Sequence, residues 1–144
     1  MRAIYGYLLV FLGAGLGGAL RHTVNLTTSR LVGPDLPLGT LLVNVLGSLC
    51  VGAIAGYFAV RGHVSHNMQL FLTTGILGGF TTFSAFSLEA ALLWERGQVL
   101  ACTLFILASV LLSIAGVFML LVLAFGRARD ALIVMVNLPL ALIG

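Results

Sequence analysis

Thr40, Asn44 and Ser48 recur at every fourth position, so on a helix they share one polar stripe. Asn44 offers two N–H donors and a carbonyl acceptor, and Thr40 and Ser48 each add a hydroxyl. A second group lies in Gly78-Gly79-Phe80-Thr81-Thr82-Phe83-Ser84-Ala85-Phe86-Ser87, where two adjacent glycines lead into hydroxyls and phenyl rings. Phe83 and Phe86 stand three apart, on one side of a helix, and a phenyl ring has a positive edge. Uncharged amide, hydroxyl and ring-edge groups can replace the water of a small anion without trapping it as an arginine would. Each group also has a plainer use. Asn44 can join two helices, the rings can pack, and Thr103, Ser109 and Ser113 can bond back to the carbonyl four residues earlier.

Which chemistry applies depends on the medium. The chain has 144 residues, 60% of them hydrophobic and 8% charged. Its mean hydropathy is +1.18. Seven basic and four acidic side chains cannot solvate the outside of a 15.1 kDa globule. This excludes an ordinary soluble domain, a disordered chain and a nucleic-acid binder, and leaves an integral membrane protein. All the basic residues are arginines scattered singly, the pattern of juxtamembrane anchors. Cys50 and Cys102 sit in apolar runs without metal-ligand spacing and read as small packing residues. No Ser/His/acid set or metal-ligand cluster falls within one span, which speaks against an enzyme. His63 and His66 read as solvated loop residues. The apolar stretch after Arg2 ends in a glycine-rich helix rather than a small-x-small cleavage site, so it reads as a mature span.

The elements that must carry these groups are four apolar runs. They cover about 3–20 (extending as a polar-faced helix to about 29), 38–60, 68–94 and 98–126. Gly33, Pro34, Asp35 and Pro37 mark the first turn, residues 61–67 the second, and Glu95-Arg96-Gly97 the third. Short turns between long helices predict one antiparallel all-α bundle of four transmembrane helices over residues 1–126. Runs such as Leu120-Leu121-Val122-Leu123 do not alternate, which argues against a membrane barrel. Arginines flank both ends of the bundle, a weak orientation bias that would permit insertion both ways round. Residues 127–144 form an apolar tail, short for a span and broken by Asn137 and Pro139, expected to be interfacial or poorly ordered.

The third run admits two readings. Gly78-Gly79 and the threonines weaken a helix, so it either breaks near mid-membrane or stays intact with a packing notch. Broken backbone at that depth survives only where it is buried in protein or lines a cavity. In that case the freed carbonyls suit a cation, and the following half-helix points its positive end at an anion.

Three segments together resemble one family. Gly17-Gly18-Ala19-Leu20-Arg21, Gly39 to Ser48, and above all Gly78 to Ser87 are similar to the Fluc (CrcB-type) fluoride ion channels, in order, over about residues 4–126. The family most often has Ser-Thr between the two phenylalanines, where this chain has Ser84-Ala85, so one hydroxyl of the polar track is missing. The resemblance implies an antiparallel, dual-topology homodimer in the cell (inner or plasma) membrane, with two fluoride pores. Asn44, Phe83, Phe86 and Ser113 would line each pore, Thr40 and Ser84 would add hydroxyls, and Arg21 would concentrate anions at the mouth. A structural sodium ion on the two-fold axis would be held by the backbone carbonyls of Gly78 and Thr81 from each subunit. The expected function is passive, fluoride-selective export that relieves fluoride toxicity. The rivals are a small multidrug or guanidinium-type exporter, which needs a membrane-embedded carboxylate, and a structural membrane subunit. Glu89, late in the third run, is the only candidate acid for the exporter.

Overall fold

The computed structural model of the chain describes residues 2–61 and 65–141. His63 therefore lies outside the described residues. Every described element is helical: α1 (Arg2–Val32), α2 (Leu38–Arg61), α3 (His66–Gln69), a π-helical stretch (Leu70–Leu77), α4 (Gly78–Phe80), α5 (Phe83–Glu95), α6 (Val99–Phe125) and α7 (Ala128–Ala141). Four segments are long and apolar enough to cross a membrane, the third being the composite from His66 to Glu95. The chain is a multi-pass membrane protein.

Its burial pattern is that of a protein surrounded by hydrocarbon. Tyr7, Leu100 and Leu123 are each more than two-thirds exposed, whereas Thr40, Thr82 and Ser109 are buried. Lipid tails are as apolar as leucine, so helices associate through close packing and internal polar bonds rather than by burying leucines.

Glycines set that close packing. Gly13 on α1 meets Gly75 of the π-helical stretch, where a Cβ would lie 2.7 Å from the Gly75 Cα. One turn on, Gly17 faces the Ile76 carbonyl and the Phe80 N–H, and Gly79 faces the Ala14 backbone. The Gly52-xxx-Gly56 pair packs α2 against α6, with Gly52 on Val117 and Gly56 on Ala124. Helix ends follow local sequence. α5 stops in a Schellman turn, with the Gly97 N–H bonded to the Trp94 carbonyl and the Gln98 N–H to the Leu93 carbonyl, and Gly97 at φ 72°. α6 ends at Gly126, also left-handed, with its N–H on the Val122 carbonyl. The tail continues as α7, packed on α6.

The third segment is broken, but not at its glycine pair. Gly78 and Gly79 are helical, and the chain becomes extended only at Thr81 and Thr82. The physical reason is that Gly79 is pressed against α1, which fixes it in the helix, while Thr81 and Thr82 find other partners for their backbone. Gly17→Val places its side chain onto the Ile76 carbonyl. We expect a loss of about 1–3 kcal/mol, read as a lower midpoint of thermal unfolding in detergent; an unchanged midpoint would mean that α1 does not approach this closely.

Candidate functional site

The break is held by one side chain. Asn44 on α2 accepts the Thr82 N–H at its Oδ1 (2.9 Å) and donates from Nδ2 to the Thr82 carbonyl (3.0 Å). A carboxamide has the same donor and acceptor as a peptide group, so it pairs with Thr82 as a neighbouring strand would. Gly47, three residues later, lacks a side chain where the Thr81 methyl group fits, which lets α2 come this near.

The same bonds release specific carbonyls. In an unbroken helix the Thr82 N–H would go to Gly78 and the Ala85 N–H to Thr81. Here Asn44 takes the first, and the Thr82 hydroxyl takes the second at 3.1 Å, capping α5. The carbonyls of Gly78 and Thr81 thus lose their helical donors to two identifiable side chains. That donor set, neutral carbonyl oxygen on kinked backbone, suits a hard alkali cation.

Below the clasp lies a cavity of about 320 Å³ lined by Asn44, Ser48, Thr81, Thr82 and Phe83, with Val51 and Val117. No charged side chain lines it. Among the described residues, the second Asn44 N–H has no partner. Ser84 is exposed at the start of α5 and hydrogen-bonded to the Thr82 hydroxyl at 3.2 Å. Phe83 and Phe86 do project together, with centroids 5.6 Å apart. Their surroundings differ. Phe83 is 79% exposed, while Phe86 packs on Phe105 of α6 at 5.3 Å and joins the cluster of Leu93 and Cys102.

The α2 stripe divides in its work. Asn44 and Ser48 serve the break, but Thr40, only 1% exposed, donates its hydroxyl to Glu89 Oε1 at 3.0 Å. Glu89, Asn25 and Arg96 line a second cavity of about 310 Å³ beside the 33–37 loop. Glu89 Oε2, Asn25 Oδ1 and the Ser109 hydroxyl are buried without a partner among the described residues. Ser113 is half-buried one turn from Ser109 on α6. Thr103 bonds back to the Val99 carbonyl as its spacing allowed. Arg21, on the same face of α1 as Gly13 and Gly17, lines neither polar cavity. The Cys102 thiol donates to the Ala90 carbonyl at 3.3 Å and packs in the core, as read from its apolar run.

Two participants escaped the reading of residue types. Thr82 is both the clasped residue and the α5 cap, and its signal was present: a Ser/Thr directly before a new apolar period is a helix start. Glu89 was weighed only as a proton-coupling acid, although a threonine hydroxyl on the facing α2 stripe was available to pair with it.

Comparison with known proteins bears on the same region. The family model described as CrcB-like protein, Camphor Resistance (CrcB), matches residues 8–122. A fluoride-specific ion channel FluC of Rhodopseudomonas palustris (strain BisB5) is 58% identical over 112 residues, 78% of this chain and 90% of that protein. The FluC of Methylobacterium nodulans is 61% identical over 110 residues, 76% of this chain and 88% of the relative. That of Granulibacter bethesdensis is 52% identical over 115 residues, 80% and 91% respectively.

Asn44→Ala strips Thr82 of both bonds at membrane depth. The expected cost is about 1–3 kcal/mol, with faster hydrogen exchange at the Thr82 amide than in the parent protein. Unchanged exchange there would show that another group holds the break.

Proposed function

We propose a function from one premise: the chain belongs to the CrcB-like protein family. On that footing it is a passive, fluoride-selective channel that lets cytoplasmic fluoride leave down its gradient. Fluoride enters cells as its neutral acid, dissociates at cytoplasmic pH and is trapped as the anion until a pore releases it. The observation that carries the reading is the chargeless cavity at the break, where amide, hydroxyl and phenyl groups meet against α2. The similar proteins named above carry the name of a fluoride channel, not of an exporter or a structural subunit.

The chemistry follows from the ion. Fluoride is small and strongly hydrated, so donors must replace its water closely, yet release it at the far side. The Asn44 N–H and the Thr82, Ser84 and Ser48 hydroxyls are donors of that kind, and the positive edges of Phe83 and Phe86 add weak attraction between them. A fixed cation in the path would bind too tightly for flux. Ser113 and Thr40 extend the polar line in this reading, with Glu89 fixed by Thr40, and Arg21 raises the local anion concentration from α1.

The working unit in this reading is an antiparallel, dual-topology homodimer. Phe83 is exposed at an open side of the cavity, which a second copy would close. The carbonyls of Gly78 and Thr81, deprived of their helical donors, would hold a structural sodium ion at the two-fold axis. Such an ion supplies positive charge that steadies the paired breaks.

The test is fluoride efflux from reconstituted liposomes with a potassium shunt and no proton gradient. Fluoride should leave faster than chloride; efflux equal to that of protein-free liposomes would remove the channel. In the same assay Phe83→Ile and Phe86→Ile should each slow fluoride by about tenfold or more, equivalent to about 1.4 kcal/mol of barrier, with the assembly intact by size exclusion. Full flux in both would make the rings packing groups only.

A further inference from the structure

α7 lies beyond the 8–122 region shared with the family, and its two faces set where it sits. Ala131 is fully buried and Val134 and Met135 are half-buried, on the side where α7 packs on α6. Arg129, Leu132, Ile133 and Val136 follow at i, i+3, i+4 and i+7, forming a separate exposed stripe. Leu132, Ile133 and Val136 are each at least half exposed.

A helix lying in the plane of a membrane surface keeps a polar face toward water. α7 carries Arg129 and Asp130 in its first turn, but from Ala131 to Ala141 its only polar side chain is that of Asn137, so no continuous polar face runs along it. Its 14 described residues rise about 21 Å, against a hydrocarbon core of roughly 30 Å. It leaves the end of α6 through only Gly126 and Arg127, and so begins at a membrane boundary. Two exposed arginines, Arg127 and Arg129, stand at that start, within reach of lipid phosphates. The end of α6 that leads into α7 is also apolar and open, with Leu123 71% exposed.

We propose that α7 is a lipid-embedded helix that re-enters the bilayer beside α6. Its Leu132–Ile133–Val136 stripe contacts acyl chains, and Arg127 and Arg129 hold its start at the headgroup phosphates. The inference rests on the membrane-spanning architecture and is independent of which ion the protein conducts.

The experiment uses a tryptophan probe in the full chain, with the natural tryptophan removed by Trp94→Phe. Leu132→Trp in this background, reconstituted in vesicles, should lose emission when the lipid carries brominated acyl chains. Aqueous iodide should leave its emission unchanged. Quenching by iodide instead would place the stripe in water and overturn the proposal. Quenching by neither would mean that a second protein surface covers the stripe, and would overturn it equally. Val136→Trp reads the same stripe should Leu132→Trp fail to fold.

Discussion

A backbone that leaves its helix inside a membrane must find partners within the protein, because hydrocarbon offers none. The two bonds from Asn44 to Thr82 meet that demand, and the rest of the site depends on them. They hold the chain extended across Thr81 and Thr82, divert the N–H that would have closed onto Gly78, and let Thr82 cap the next helix. They also place the start of α5 so that Phe83 lines the cavity beside α2. One carboxamide therefore joins the structural and the chemical sides of the protein.

The surrounding packing makes this geometry affordable. Glycine contacts between α1 and the third segment, and between α2 and α6, draw those backbones close together. Gly47 is the clearest case: without a side chain there, α2 sits against Thr81, and Asn44 reaches Thr82 directly. Large apolar residues face outward instead. Stability in this protein comes from close contact and internal hydrogen bonding rather than from a thick leucine core.

Much of this was legible in the residues, and the limits are physical. Hydropathy and turn chemistry fix the four spans and their short connections, since apolar length and Gly/Pro punctuation act locally. The polar stripe of α2 was visible from its spacing, but not its division between Thr82 and Glu89, because spacing does not say which helix each residue meets. Helix propensity marked the stretch from Gly78 through the threonines as weak without saying whether it breaks; the break lies at Thr81-Thr82, because contact with α1 holds the glycines in the helix. The unequal settings of Phe83 and Phe86 depend on α6, which their own three-residue spacing cannot encode.

Asn44 holds open a mid-membrane break beside the proposed uncharged anion path. The most direct measurement is an electron cryo-microscopy map of the protein in lipid nanodiscs with fluoride. It should show extended backbone at Thr81 and Thr82, the Asn44 amide on the Thr82 peptide, and anion density between that amide and the two phenyl rings. A continuous helix through Thr81 and Thr82, with Asn44 turned away and no density along the rings, would contradict it.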